Sequence, residues 1–191
     1  MGRKRHKRME RLGVYVDMNN LWHSAMRFGS DKQIDGICHV DITKLLRYIH
    51  DPTGSKHPKR VVSIKRLFIG RKKGDNKDGF INYLRSMGFK VEVVMVDEDE
   101  GGAYTYNCCS VLSAGVLADC EDWDILCLCS GNGAYVDVVD QVQQKGKRVE
   151  VYSFSAAISM ALKNKAHAFY PLGRKQIVIH KRQEDEENDC G

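Results

Sequence analysis

No stretch of the 191-residue chain is apolar for the length a transmembrane helix needs, and no apolar segment follows the basic N-terminus as in a signal peptide. The chain therefore reads as soluble and intracellular, cytoplasmic or nuclear. None of the seven cysteines stands in a C-x-x-C pair, so the usual spacing of a zinc site is missing. Their number is odd; Cys108 and Cys109 are adjacent, and Cys127 and Cys129 alternate along one run. Such positions suit mutual disulfides poorly, and most read as small buried apolar residues in a reducing compartment. There is no G-x-G-x-x-G and no Walker A loop, which argues against dinucleotide and P-loop chemistry. No internal repeat is present.

What the chain does carry is unevenly placed charge. The formal net charge is +5, yet residues 3–11 hold Arg3, Lys4, Arg5, His6, Lys7, Arg8 and Arg11 against Glu10 alone. Residues 184–189 hold Glu184, Asp185, Glu186, Glu187 and Asp189. The division is a disordered basic arm over 1–11, one domain over 12–180, and a disordered acidic tail over 181–191. A basic arm binds nucleic acid, directs nuclear import, or simply solvates the chain end.

The domain is organised around residues 124–135. The apolar run 125–129 stops at Ser130-Gly131, and Val136, Val139 and Val142 then recur at helical spacing. This is strand, small-residue turn, helix. The strand lacks polar alternation, as expected when both faces are covered in a parallel sheet. Its C-terminal turn is where an α/β sheet binds ligands. That turn presents Ser130, Asn132 and Tyr135, with no carboxylate before Asp137.

Similar units repeat along the chain. Residues 12–16 form a first strand ending in Asp17, whose carboxylate must be hydrogen-bonded, metal-bound or solvated in a cleft. It is also placed to cap the next helix, an oxygen that Asn19 and Asn20 offer equally. Asp41 precedes a helical stripe of Ile42, Leu45, Leu46 and Ile49. Strands follow at 61–69 and 90–96, with a helix between them whose face is Phe80, Tyr83, Leu84 and Met87 and whose C-cap is Gly88. Asp97 to Glu100 read as a solvated acidic loop. A helix over 105–119 carries small Ala114 and Gly115, for close packing on the sheet. Arg148–Phe154 is a fifth strand, Ser155 caps a helix bearing Ile158, Ala161 and Leu162, and 168–172 is an edge segment because of Pro171. Ile177 to Ile179 form a last edge strand. The fold class is α/β, three layers, with a mainly parallel sheet of five to six strands and helices on both faces. Right-handed crossovers gather Asp17, Arg71-Lys72-Lys73, acids 97–100 and the Ser130–Tyr135 turn on one rim.

Residues 14–24 resemble the opening strand, D-x-x-N-L motif and helix of the NYN domains of the PIN-like nuclease superfamily. Residues 124–135 and 145–151 resemble that family's S-G-D-x-D-F strand and G-K-x-V-x-V strand. Residues 155–172 resemble its closing S-x-x-L…A-x-x-F-x-x-L segment. The resemblance implies a carboxylate cluster holding Mg²⁺ or Mn²⁺ for RNA cleavage. Carry-over of the acids is partial. Asp17 matches the first acid, whereas Asn107, Asn132 and Ala134 stand at the other acid positions. Any Mg²⁺ or Mn²⁺ is then held weakly, through Asp17. Asp97, Asp99, Glu100 or Asp137 are the residues available to replace the missing charge.

On this resemblance the chain is an RNA-binding, ribonuclease-like module, weakened or inactive in catalysis. Nucleic-acid contacts fall to Asn20, Arg71, Lys72, Lys73, Ser130 and Tyr135, the partner being single-stranded RNA. Trp22 and Tyr135 are candidates to stack on unpaired bases, against ordinary core packing. Two other readings remain open: an active endoribonuclease with a rearranged metal site, and a scaffold that binds a protein partner or dimerises.

Overall fold

The computed structural model describes residues 9–54, 60–95, 97–98, 104–105 and 108–180; for 97–98 and 104–105 it describes the backbone alone. Residues 1–8 of the basic arm, the acidic tail, Asn107, Asp99 and Glu100 lie outside the described residues.

The elements run β1 (Glu10–Asp17), α1 (Met18–Asp31), β2 (Ile37–Val40), α2 (Ile42–His50), β3 (Arg60–Arg71), α3 (Asp78–Ser86), β4 (Lys90–Met95), β5 (Asp97–Glu98) and β6 (Tyr104–Thr105). They continue with α4 (Cys108–Ala118), β7 (Ile125–Cys129), α5 (Val136–Gln144), β8 (Arg148–Phe154), α6 (Met160–Lys165), β9 (Ala168–Leu172) and β10 (Ile177–His180). The main sheet has six strands in the order β4-β3-β1-β7-β8-β9, every neighbouring pair parallel. The chain moves outward from β1 to β4, returns to the centre at β7, and moves outward the other way. The order therefore reverses between β1 and β7, and the crevice at their C-terminal ends is the switch point of the fold.

Each face of the sheet has its own core. Leu12, Val14 and Val16 point to the side of α1, α2 and α3, where they meet Leu21, Ala25, Leu45, Ile49, Ile81 and Leu84. Tyr15 and Phe68 point to the side of α4, α5 and α6, with Leu112, Val116, Val139, Val142 and Leu162. All five residues of β7 are buried, which is why its sequence shows no polar alternation. Burial of a Leu or Ile side chain stabilises by about 1.5–3 kcal/mol, so the β1–β7 pair anchors both layers. The pair sits close to Trp123: a methyl group on Gly13 would lie 2.5 Å from its Cδ1.

Several expectations need correction. Glu10 and Arg11 belong to β1 rather than to an arm, because Asp124 accepts from the Arg11 backbone N–H and pairs with its guanidinium at 3.1 Å. In α3 the buried residues are Ile81 and Leu84, while Tyr83 is 51% exposed. Asp97 and Glu98 are a strand, paired antiparallel with β6, and not a loop. Ser155 starts a turn rather than a helix. The Ala157 N–H bonds the Phe154 carbonyl, and the Ser159 N–H bonds the Gly131 carbonyl at 2.8 Å, which lays 155–159 against the Gly131 turn before α6 begins. Finally, β10 pairs antiparallel with β2, a strand the sequence pattern did not reveal. Together they form a separate ribbon over α1.

Candidate functional site

The rim between β1 and β7 is built by four consecutive residues, Asp17 to Asn20. Asp17 ends β1 and caps α1, its Oδ1 accepting from the Asn20 N–H at 3.1 Å. Asn19 and Asn20 do not cap, contrary to the alternative that the sequence left open. Instead the Asn19 Oδ1 accepts from the Gly70 N–H at 2.9 Å, tying α1 to the end of β3. The Asn20 Oδ1 accepts from the Gly131 N–H at 2.8 Å, tying α1 to the end of β7. Asn19 and Asn20 thus satisfy backbone donors at the ends of both neighbours of β1.

Asp17 is only 4% exposed. Its Oδ2 accepts from the Tyr135 hydroxyl at 2.9 Å and from the Ser130 hydroxyl at 3.3 Å. The Ser130 oxygen in turn accepts from the Asn132 N–H. The Asn132 side chain caps the short 3-10 turn Gly133–Tyr135, its Oδ1 accepting from the Ala134 N–H at 3.0 Å, and its Nδ2 lies 3.2 Å from the Cys109 Sγ. Burial pushes the Asp17 carboxyl above its ordinary value, opposed by the three donors and by His23. The Tyr135 hydroxyl is raised by burial and by the Asp17 charge, so it stays a donor. Burial also raises both neighbouring thiols, Cys108 to about 12, and neither offers a thiolate at neutral pH.

This arrangement answers whether Mg²⁺ or Mn²⁺ fits. Such ions take several oxygen ligands. Here both Asp17 oxygens already accept hydrogen bonds, the Asn132 oxygen is used on Ala134, and Ala134 carries no ligand. Asp137 is exposed and lines a shallow pocket with Cys109, Ala134 and Gln141, and it is the one carboxylate of that lining. Among the described residues no group of three or more His, Cys, Asp or Glu converges as a ligand set. The described residues do not fit a divalent cation.

The structure also moves two expected RNA contacts indoors. Ser130 and Tyr135 are fully buried, so Tyr135 offers no face to a base. Its ring packs in the α4–α6 core because the residue after Ala134 turns inward to reach Asp17. Asn20 is half-buried and engaged with Gly131. Arg71 pairs with Asp78 at 2.7 Å and donates to the Asp75 carbonyl, while Lys72 is half-buried and Lys73 exposed. Trp22 is half-buried beside His39. The signal that sequence reading missed is the Tyr at the last position of S-G-N-G-A-Y, where the family motif has Phe. Its added hydroxyl is the group that closes on Asp17.

Fold and rim together define a PIN-like α/β domain. The NYN domain profile matches residues 11–173, and the chain belongs to the NYN family, a nuclease-like, RNA-related class of module. LabA, the low amplitude and bright protein of Synechococcus elongatus, is 23% identical over 185 residues, covering 94% of this chain and 92% of LabA. A crystal structure of a Vibrio parahaemolyticus protein of unknown function is similar with a TM-score of 0.73 at 18% identity, over 88% of this chain and 96% of that one. That second likeness concerns the fold. Among the described residues no helix is long and apolar enough to cross a membrane.

Proposed function

We propose that this chain is an RNA-binding NYN module in which metal-dependent cleavage is weak or absent. The observation that carries the reading is the network on Asp17: one buried carboxylate, both of its oxygens engaged by Asn20, Ser130 and Tyr135, with Asn132 turned to cap its own loop. A nuclease rim needs clustered charge to hold a cation, and a binding rim does not. Basic residues support the binding half of the reading. Lys72 and Lys73 follow β3 on this rim, and the arm adds Arg3, Lys4, Arg5, Lys7 and Arg8. These contact phosphates without reading sequence.

Fluorescence anisotropy with a labelled single-stranded RNA at about 50 and about 200 mM salt tests it. Affinity falls with salt, and the Lys72→Ala/Lys73→Ala double variant binds more weakly with a slope smaller by about one to two phosphate contacts. Absence of RNA binding at either salt refutes the reading and leaves the protein-scaffold alternative.

A further inference from the structure

A second concavity, apart from the Asp17 network, opens on the α1–α3 side of the sheet. It measures about 650 Å³ and is enclosed by α1, the start of α2, α3 and the β2–β10 ribbon. Trp22 forms one wall. Its ring meets His39 edge-on with centroids 5.1 Å apart, and His39 meets His180 at 5.1 Å. Phe80 and Tyr83 of α3 also line it. Met18, the residue after Asp17, lines it too, so the pocket adjoins the rim.

Aromatic walls with few polar groups favour a flat π-system over a branched aliphatic one. The mouth adds a sign. The charged residues of the lining are Asp41 and Lys77, and Asp41 is engaged in capping α2 and pairing with Lys44 at 3.3 Å. Beside the pocket, residues 71–78, which lead from β3 into α3, carry four cations against Asp75 and Asp78. Lys77 Nζ stands 5.9 Å from the Trp22 ring centroid. It is already held by the Gly70 carbonyl and by Asp75 at 3.0 Å, so it contributes field rather than a dedicated contact. A flat aromatic group attached to negative charge is the chemistry of a nucleotide. An apolar peptide matches the walls but gains nothing from the basic mouth.

We propose that this pocket takes one unpaired nucleobase of a single-stranded RNA, stacked on Trp22, with its phosphate toward residues 72–77. The proposal rests on the RNA-binding reading above. Base stacking on an aromatic ring tolerates any sequence, which suits a domain whose rim offers phosphate contacts and no base-reading set.

Trp22 and Trp123 are the two tryptophans, and Trp123 is fully buried, so ligand quenching of fluorescence reports on Trp22. The full chain is titrated with oligoadenylate, with AMP and with ribose 5-phosphate. Oligoadenylate and AMP quench, and ribose 5-phosphate does not. Trp22→Leu weakens RNA binding about tenfold, and Tyr83→Ala, at an exposed position outside the core, weakens it in the same direction. RNA bound without quenching, at an affinity neither variant changes, overturns the pocket and leaves the RNA-binding reading standing. Quenching by an apolar peptide but not by AMP also overturns it, in favour of a peptide groove. Quenching by AMP with no RNA binding supports a base site and refutes the RNA-binding reading. Neither quenching nor RNA binding overturns both.

Discussion

Replacing Tyr135 by Phe removes one oxygen and keeps the ring that fills the α4–α6 core. The lost group is a hydroxyl donating to a buried carboxylate at 2.9 Å. A hydrogen bond to a charged group contributes about 1.5–3 kcal/mol, and no cavity term adds to it because the ring volume is unchanged. The Tyr135→Phe protein is therefore less stable than the parent by about that amount at neutral pH. The pH dependence has a fixed sign. Burial holds the Asp17 carboxyl above its ordinary value. Between its unfolded and folded values the native state binds more protons, so Asp17 favours folding most in acid and loses that contribution as pH rises through the folded value. Without the Tyr135 donor the folded value rises further, and the loss on raising pH grows. The gap between the two proteins is widest near neutrality. It narrows to a neutral hydrogen bond, about 0.5–1.5 kcal/mol, as pH falls through the folded values of the two proteins, both above the ordinary one. Urea unfolding of both proteins near neutrality and in acid measures it. A gap under about 0.5 kcal/mol at neutral pH, or one that does not narrow in acid, refutes the claim that Tyr135 holds an ionised Asp17.

Two other substitutions test the frame around the site. In Gly131→Ala the new methyl group lies 2.7 Å from the Ser153 Oγ and closer still to the Ala157 carbonyl oxygen. Thermal melts show a loss of about 1–3 kcal/mol, as in other overpacked sites, and an unchanged melting temperature rejects the packing argument. Arg60→Met strips the fully buried Glu150 of a guanidinium 2.5 Å away. Chemical denaturation shows a loss near about 3 kcal/mol, since Arg148 remains at 3.1 Å. Adding Glu150→Leu recovers most of that loss, and a double variant no more stable than the single one contradicts the charge-burial account.

The parallel core was legible because its strands carry their own signals. β7 is an unbroken apolar run bounded by Ser130-Gly131, and Asp41 caps its helix with the side chain accepting from the Lys44 N–H. Gly88 announced the end of α3, although Met87 is the C-cap and Gly88, the next residue, adopts φ +81°. The edge strand at Ile177 to Ile179 was legible as β10, but its partner β2 stayed hidden because it has four residues, of which Ile37 is exposed and only Cys38 and Val40 are buried. Ser155 misled because a helix-capping residue gives no hint that a glycine elsewhere in the chain, Gly131, will claim the segment first. The site was half visible. Spacing located Asp17, Asn132 and Ala134 on one rim, and Val16 does pair with Cys129 across the β1–β7 ladder. What sequence spacing does not encode is direction: that Tyr135 turns inward to Asp17, and that Asn19 and Asn20 bond across the sheet instead of capping their own helix.

The account turns on whether Asp17 is structural or chemical. Cleavage of a single-stranded RNA by the purified chain with Mn²⁺, compared with Asp17→Asn, measures this directly. Asn keeps the capping oxygen and removes the charge. Both proteins are expected to show little or no cleavage above the metal-only background, with no difference between them. Robust Mn²⁺-dependent cleavage by the parent that vanishes in Asp17→Asn contradicts it, and makes Asp17 a metal ligand in an active endoribonuclease.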